Sequence, residues 1–165
     1  MIFCHSANFG STVFWAYNHP GQMTTEQDYP YLNWESTLTC PPNARIFQNG
    51  VKIATAFQDL YCNEERLKQL VVQYGAVETG MFSDDINFKR GNTFTKGIYQ
   101  SCSSNVLDHS VVVVGYGVEN GIPYWKVKNS WGTNWGDQGF FKIVRGQRAC
   151  GIGTVCIVAN CIKEN

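Results

Sequence analysis

Charged side chains are scarce in this sequence, and long apolar runs are missing. Lysine, arginine, aspartate and glutamate make up 16% of the 165 residues, with 13 basic residues balancing 13 acidic ones. Because no basic stripe interleaves with aromatic residues, we expect neither nucleic acid nor a membrane surface as a partner. Residues 111–114 are four valines, far short of the roughly 20 apolar residues that a membrane-spanning helix needs.

A secretion signal and a metal-binding cysteine spacing are also missing. Met1, Ile2 and Phe3 provide neither a basic lead nor an apolar stretch of signal-peptide length. The seven cysteines include no Cys-x-x-Cys pair, which favours disulfides in an oxidising compartment over a zinc site. We therefore expect no metal and no other cofactor. The odd count leaves at least one cysteine without a partner inside the chain.

Apolar and aromatic residues, by contrast, are plentiful enough for a packed core. Hydrophobic residues make up 44% and aromatic residues 14% of the chain, values that are typical of a globular protein. A chain of this length would ordinarily form one domain. Near its start, residues 11–18 are a short apolar helix candidate that ends at His19-Pro20-Gly21.

Residues 51–75 carry signals for a strand followed by a helix. Residues 51–57 alternate in hydrophobicity, as strands do. Asn63 is a suitable helix N-cap, two glutamates follow it, and Gly75 offers a stop. The apolar residues between these two positions fall at helical spacing: Leu67, Leu70, Val71 and Tyr74.

From residue 93 onward the pattern is one of short strands separated by glycine-rich turns. The predicted strands are residues 97–99, 111–116, 124–128, 140–144 and 154–159. Such a series predicts an antiparallel sheet or barrel. With the preceding helix, it indicates an α+β protein.

Two motifs in this strand-rich half surround His109 and Asn129. The residues that carry them are Asp108-His109-Ser110, Gly115-Tyr116-Gly117 and Tyr124-Trp125-Lys126-Val127-Lys128-Asn129-Ser130-Trp131-Gly132. Together they closely resemble the C-terminal half of the papain-like, or cathepsin-like, cysteine peptidases. The resemblance implies that His109 is the base and acid for a thiol. It also implies that the side-chain oxygen of Asn129 accepts from the second ring nitrogen.

The cysteine nucleophile of that family has no counterpart among the seven cysteines. In the family it stands in a Cys-Gly-Ser/Ala-Cys-Trp/Tyr context, about 130 to 150 residues before the histidine, which here falls roughly 20 to 40 residues before Met1. Cys4, the earliest cysteine, lies between Phe3 and His5 instead. The resemblance therefore predicts the later portion of a peptidase, without the thiol segment, and an inactive chain when it is alone.

The resemblance implies a two-lobed papain-like fold. Residues 1–165 would form a partial peptidase domain, with residues 1–62 as the remainder of the helical first lobe and the crossover, and residues 63–165 as mainly the antiparallel β second lobe. The implied function is a cysteine-type endopeptidase, lysosomal or extracellular, that acts on a peptide or protein substrate. The missing N-terminal segment or a cystatin-like inhibitor would be a further partner.

Two functions other than catalysis stay open from the sequence. The chain could be a non-catalytic homologue that binds peptides or a protein partner in the cleft. It could also be a small disulfide-stapled interaction domain with a vestigial histidine–asparagine pair.

The resemblance also assigns roles to residues around the pair. Trp131 would shield the hydrogen bond of the pair from water, and Trp135 would contact the substrate. The residues expected to line the pocket for the substrate side chain one position before the scissile residue are Leu107, Asp108 and Val155. Plainer roles stay open, with both tryptophans as core residues and Asn129 as a turn residue that caps its own backbone.

Two disulfides are implied by the same resemblance. Cys102 and Cys150 match a disulfide pair of the family's second lobe. Cys40 matches a first-lobe cysteine, with Cys4 its only upstream candidate. Three cysteines match no common position and stay unassigned: Cys62, Cys156 and Cys161.

Overall fold

The computed structural model describes residues 51–83, 97–100 and 102–163. In chain order the elements are β1 (Val51–Asp59), α1 (Glu64–Tyr74), β2 (Val77–Met81), β3 (Ile98–Tyr99), β4 (His109–Glu119), β5 (Ile122–Lys128), β6 (Phe140–Val144), a 3-10 turn (Ala149–Gly151) and β7 (Cys156–Lys163). The helix predicted at residues 11–18 and the predicted Cys4–Cys40 disulfide lie outside the described residues.

The described strands form a seven-stranded sheet in the order β1-β7-β2-β4-β5-β6-β3. β2 pairs antiparallel with both β4 and β7, and the β4–β5 and β5–β6 pairs are antiparallel as well. The short β3 is parallel to β6. A largely antiparallel sheet accompanied by one helix in this part of the chain agrees with the predicted α+β class.

Gln58–Val158 form one compact unit, and Met1–Phe57 together with Ala159–Asn165 form another. In the unit that contains both chain termini, the described residues belong to the first part of β1 and the last part of β7. The Gln58–Val158 unit contains α1, the strands from β2 to β6, and the predicted histidine–asparagine pair. The hydrogen bonds and ring contacts of the candidate site described below lie within the Gln58–Val158 unit.

The core of the Gln58–Val158 unit is built by alternation along β5 and β6. Trp125 pairs with Ile143 and Val127 with Phe141 across the two strands, and all four side chains are at most 1% exposed. α1 adds Leu67, which is fully buried. Burying side chains of this size contributes roughly 1.5 to 3 kcal/mol each, so this layer is a rigid base for the neighbouring β4–β5 hairpin.

α1 begins and ends as predicted. The Asn63 side chain accepts from the backbone N of Arg66 at 2.9 Å, which satisfies a donor that the helix itself leaves open. At the other end Gly75 has a φ of 83° and donates its N–H to the Val71 carbonyl, a conformation that glycine adopts without penalty. No helix in the described ranges is long and apolar enough to cross a membrane.

β2 lies between β7 and β4 in the sheet order, yet it is absent from the predicted strands. Its sequence, Val-Glu-Thr-Gly-Met, contains a glutamate and a glycine, which are depleted in strands. Thr79 is fully buried, and its Oγ1 accepts from the backbone N of Gly153 at 3.1 Å. A polar side chain is stable in a core when it is hydrogen bonded in this way.

The predicted strands differ from the observed ones mainly at their ends. β4 extends the predicted strand in both directions, from His109 to Glu119, and β7 starts at Cys156, two residues later than predicted. β4 and β5 are joined by Asn120 and Gly121, whose φ angles are 51° and 79°. Positive φ at both central residues matches the right-handed twist of the flanking strands, so this turn sets the register of the hairpin.

Candidate functional site

His109 and Asn129 lie near each other at one end of the β4–β5 pair. His109 is the first residue of β4, opposite Met81 of β2, and Asn129 directly follows Lys128, which pairs with Val112 of β4. The two side chains meet, with 2.8 Å between His109 Nε2 and Asn129 Oδ1. The predicted hydrogen bond between them is therefore confirmed.

Three hydrogen bonds orient Asn129. Its Oδ1 accepts from His109 Nε2 and from the backbone N of Ser130, both at 2.8 Å, and its backbone N donates to the Gly139 carbonyl at 2.9 Å. Asn129 is 7% exposed, and its buried Nδ2 has no hydrogen-bond partner in the described part of the chain. The same oxygen therefore has both roles that the sequence left open: it caps the local backbone, and it holds the histidine ring.

The acceptor role of Oδ1 determines what His109 can do chemically. Because Oδ1 accepts, Nε2 carries the hydrogen, and in the neutral ring Nδ1 keeps its lone pair. Nδ1 can then take up a proton while the bond from Nε2 to Asn129 persists. A ring that can accept a proton and return it without rotating has the geometry of a general base and acid.

Three aromatic side chains connect the His109 ring to the core. The centroids of the His109 and Trp131 rings are 5.0 Å apart at an interplanar angle of 34°. Trp131 contacts Trp135 edge-on at 5.3 Å, and Trp135 contacts the buried Phe141 edge-on at 5.6 Å. Trp131 is thus placed over the histidine with one surface in solvent, whereas Trp135 fills the space behind it.

Glycine allows the loop after Asn129 to return to β6. Gly139 has a φ of 87°, which side chains rarely adopt. A Cβ added there would lie 3.3 Å from the carbonyl oxygen of Gly132. Because the Gly139 carbonyl is the one that accepts from the Asn129 backbone, the glycine turn directly supports the orientation of the asparagine.

The predicted pocket residues lie on two neighbouring segments. Leu107 is half-buried, and its Cδ2 lies 2.8 Å from where a Cβ on Gly151 would be. Val155 is also half-buried, four residues after Gly151 and just before β7. Asp108 accepts at Oδ1 from the backbone N of Ser83 at 2.7 Å. Leu107 therefore packs against the segment that leads to Val155, while the Asp108 carboxylate engages the backbone.

Both disulfides in the described residues lie in the Gln58–Val158 unit. The predicted Cys102–Cys150 pair is confirmed, with 5.1 Å between the Cα atoms. Cys62 and Cys156, which the sequence left unassigned, form the other bridge at a Cα distance of 5.7 Å. Within the described ranges no group of three or more histidine, cysteine or acidic side chains could hold a metal ion.

Sequence reasoning missed the structural role of Glu64 at the start of α1. Its carboxylate accepts from Trp125 Nε1 at 2.8 Å, from the backbone N of Gly146 at 2.9 Å and from that of Arg148 at 3.0 Å. The sequence indicated only that an acidic residue here complements the helix dipole. The partners come from β5 and from the loop after β6, which are at least 61 positions away, so no local pattern could reveal them.

Comparison with known sequences identifies the family of this chain. The family model described as "Papain family cysteine protease" matches residues 4–160. The chain belongs to this family. The viral cathepsin of Epiphyas postvittana nucleopolyhedrovirus is 40% identical over 158 residues, covering 92% of this chain and 46% of the viral protein. The viral cathepsin of Choristoneura fumiferana nuclear polyhedrosis virus is 38% identical over 142 residues, covering 86% and 41%.

Solved structures of papain-family proteins have the same fold. The digestive procathepsin L2 proteinase from Tenebrio molitor larval midgut superposes with a TM-score of 0.74 at 32% identity, covering 92% of this chain and 46% of that one. The cysteine protease Amb a 11 of ragweed pollen, in its proform, gives 0.79 at 26% identity, covering 96% and 42%. The predicted papain-like α+β fold is confirmed. The chain spans less than half the length of each of these relatives.

Proposed function

We propose that this chain supplies the histidine–asparagine half of a cysteine endopeptidase site, and that the attacking thiol comes from residues outside these 165. The observation that carries the proposal is the 2.8 Å hydrogen bond from His109 Nε2 to Asn129 Oδ1 beside Trp131. It leaves Nδ1 as the nitrogen that can exchange a proton with a thiol.

The proposed reaction proceeds through an acyl-enzyme. A thiol near Nδ1 of His109 gives its proton to that nitrogen, which leaves a thiolate and an imidazolium. The thiolate attacks the carbonyl carbon of the peptide bond, the imidazolium gives its proton to the leaving amine, and a thioester remains. Water then loses a proton to the same nitrogen as it attacks the thioester, and the carboxylic acid and the thiol are released. Asn129 stabilises the imidazolium throughout.

The same reasoning predicts that the 165-residue chain is inactive when it is alone. A general base acts only within hydrogen-bond reach of the proton that it takes. None of the seven cysteines has the neighbours that surround the nucleophile in the family. Four of the seven are already joined in disulfides.

Two polypeptides test this proposal, the chain alone and the chain preceded by the N-terminal segment of the Epiphyas viral cathepsin. We expect hydrolysis of a fluorogenic peptide amide by the extended form only. His109→Ala in that form should lower kcat/KM by about 10²- to 10⁴-fold, whereas the control His19→Ala should not. Hydrolysis by the chain alone that survives Cys4→Ser and disappears with His109→Ala would contradict the proposal.

A non-catalytic homologue that binds peptides or a protein partner is the second candidate. It is supported by a hydrogen-bonded histidine–asparagine pair in a chain without a nucleophile of the family's kind. Saturable binding of peptides to the chain alone, with no turnover after extension, would favour this function.

A cystatin-like inhibitor is a proposed partner of the extended, active form. Unchanged turnover by that form in an excess of the inhibitor would exclude this class of partner.

The proposed compartment is lysosomal or extracellular. Two disulfides in the described residues are stable in oxidising surroundings and rare in the cytosol. Cathepsin relatives support the same assignment. Localisation of a tagged full-length protein in producing cells is the direct measurement.

A further inference from the structure

The two described disulfides are nested in sequence and differ in burial. The long-loop bridge joins Cys62 and Cys156, 94 positions apart, and the short-loop bridge joins Cys102 and Cys150, 48 positions apart, inside that loop. Cys62 and Cys156 are 3% and 0% exposed, whereas in the short-loop bridge Cys150 is 1% exposed and Cys102 is half-buried. Attack on a disulfide needs access to one sulfur. Cys102 is the one of these four cysteines with appreciable exposed surface, so we expect attack at the short-loop bridge first.

The short-loop bridge holds a segment that has no helix or strand of its own. Residues 102–108 run from Cys102 to the residue before His109 without regular structure. Cys102 Sγ lies 3.7 Å from the Phe82 carbonyl oxygen, and the Phe82 backbone N donates to the Cys150 carbonyl at 2.8 Å. The bridge thus fastens the start of this segment to the end of β2.

The middle of the same segment lies against the 3-10 turn. A Cβ on Gly151 would be 2.8 Å from both the Asn105 carbonyl oxygen and Leu107 Cδ2. Gly151 is adjacent to Cys150 in sequence, so the bridge also keeps this close approach in place. Loss of the bridge would leave segment 102–108 with fewer restraints next to the predicted pocket.

The long-loop bridge restrains a different part of the unit. Cys62 directly precedes the N-cap of α1, and Cys156 opens β7 opposite Thr79 of β2. It therefore joins the start of α1 to β7, next to β2.

We propose that Cys102–Cys150 is a redox-sensitive restraint that a dithiol opens in the folded protein while Cys62–Cys156 stays closed. Opening it loosens residues 102–107, while Asp108 stays hydrogen bonded to Met81 and Ser83 and the His109–Asn129 pair stays in place. His109 is held opposite Met81 in the β2–β4 pair, and the Asn129 backbone is held by Gly139. Neither restraint includes a cysteine.

The chemical step is a thiol–disulfide exchange. A thiolate of the dithiol attacks Cys102 Sγ, which forms a mixed disulfide and releases Cys150 as a thiolate that takes up a proton. The second thiol of the reagent then attacks the mixed disulfide, which releases the Cys102 thiol. Two electrons pass from the dithiol to the protein, and the reagent leaves as a cyclic disulfide.

A consequence for the site follows if the proposed peptidase function holds. Leu107 lies among the loosened residues, whereas Asp108 and His109 do not. Opening the short-loop bridge would therefore change which substrate side chains are accepted, and not the acid–base step. The order of reduction does not depend on this consequence, so each can fail separately.

Native-state labelling of the full chain tests the order of reduction. The folded protein is treated with limiting dithiothreitol, thiols are alkylated with iodoacetamide, and the labelled cysteines are mapped by mass spectrometry. We expect Cys102 and Cys150 to be labelled at least about 100-fold faster than Cys62 and Cys156, because buried bridges react through larger openings of the structure. Equal rates, or faster labelling of Cys62 and Cys156, would overturn the proposal.

Hydrogen exchange and ring nitrogen shifts test what the opening changes. In the selectively alkylated protein, and in a Cys102→Ser, Cys150→Ser variant, amides of residues 103–107 should exchange at least about tenfold faster. The β4 and β5 amides and the His109 ring shifts should stay as in the oxidised protein. Loss of β4 protection together with segment 102–108 would show that the bridge maintains the whole unit, which contradicts the proposal.

Discussion

At the scale of single residues, Asn129 combines a favourable and an unfavourable feature. Its oxygen accepts two hydrogen bonds, while its amide nitrogen is buried with no partner in the described part of the chain. Substitution by alanine removes both features, so the loss of two bonds is partly offset by removal of an unsatisfied donor. We therefore expect Asn129→Ala to retain the fold, with a loss of about 1 kcal/mol in the free energy of unfolding.

The same substitution should release the histidine ring. Without Oδ1 as acceptor, the preference of His109 for hydrogen on Nε2 should weaken, which ring ¹⁵N chemical shifts measure directly. Ser130→Ala is the matched control, because it keeps the backbone N–H that Oδ1 accepts from. A ring that keeps its tautomer after Asn129→Ala would show that other groups orient it.

Val155 tests the pocket that the resemblance assigns. Leu107 packs against the segment leading to Val155, and Asp108 Oδ1 already accepts from Ser83. An arginine over the apolar side chains of Leu107 and Val155 would lose water where neither residue offers it a carboxylate, whereas leucine would bury apolar area at roughly 25 cal/mol per Å². In the extended peptidase we expect a preference for apolar side chains at this substrate position.

The Val155→Glu variant should move that preference toward arginine by adding a carboxylate. A peptide library varied at the position before the scissile residue measures both forms. Val118→Glu is the control, because it adds the same carboxylate at an exposed position away from the predicted pocket residues, whereas glutamate at the fully buried Val158 would disturb the core. An arginine preference in the unmutated peptidase would show that the pocket assignment is wrong.

At the scale of elements, Glu64 joins α1 to β5 and to the loop after β6. Hydrogen bonds to a charged acceptor contribute roughly 1.5 to 3 kcal/mol when buried and less where solvent competes. Since Glu64 is half-buried, we expect Glu64→Gln to lower the free energy of unfolding by about 1 to 2 kcal/mol. Urea denaturation with the disulfides intact is the measurement.

Glu65→Gln is the matched control for that variant. Glu65 occupies the same first turn of α1 and is exposed, so it shares the dipole effect but not the three partners. We expect its cost to stay below about 0.5 kcal/mol. Equal losses from the two substitutions would mean that the helix dipole, and not the connection to β5, accounts for the effect.

A helix or strand could be predicted from the sequence when the residues that specify it lie close together in the chain. α1 has a capping residue, helical spacing and a terminal glycine within 13 positions, and it forms as predicted. β6 also forms within the predicted bounds, with burial that alternates from Phe140 to Ile143 and a buried Val144 at its end. β2 has no such signal, because its buried threonine is satisfied by Gly153, 74 positions away. Tertiary contacts of that kind cannot be recovered from propensity.

At the scale of the whole molecule, the candidate site was predictable where motifs carry it. The family resemblance carried by the motifs around His109 and Asn129 predicted both residues and their hydrogen bond. Trp131 lies beside the ring and Trp135 packs between Trp131 and Phe141, while the shielding role of Trp131 and the substrate contact of Trp135 stay predictions. The Cys62–Cys156 bridge could not be predicted, because neither cysteine lies in a recognised motif and their proximity depends on β2.

The free energy of unfolding lost when each disulfide is removed can distinguish an entropic contribution of the closed loop from a contribution of side-chain packing. In the loop-closure model the contribution grows with the logarithm of loop length, and doubling the loop adds only about 0.6 kcal/mol. The separations of 94 and 48 differ by nearly that factor. On entropy alone, replacing either pair with serine should cost about 4 to 5 kcal/mol, with the two variants within roughly 1 kcal/mol of each other.

Packing predicts a larger gap between the two variants. Cys62 and Cys156 are both buried, so two serine hydroxyls there lack water and need partners. In the other pair Cys150 is buried as well, but half-buried Cys102 leaves its replacement partly solvated. We therefore expect Cys62→Ser with Cys156→Ser to destabilise the chain by about 1 to 3 kcal/mol more than Cys102→Ser with Cys150→Ser. Alanine pairs, which bury no hydroxyl, should narrow that difference in urea denaturation. If the difference in destabilisation between the two bridges is the same for serine and alanine pairs, it comes from the entropy of the closed loops. If both bridges cost the same free energy of unfolding, the packing argument is wrong.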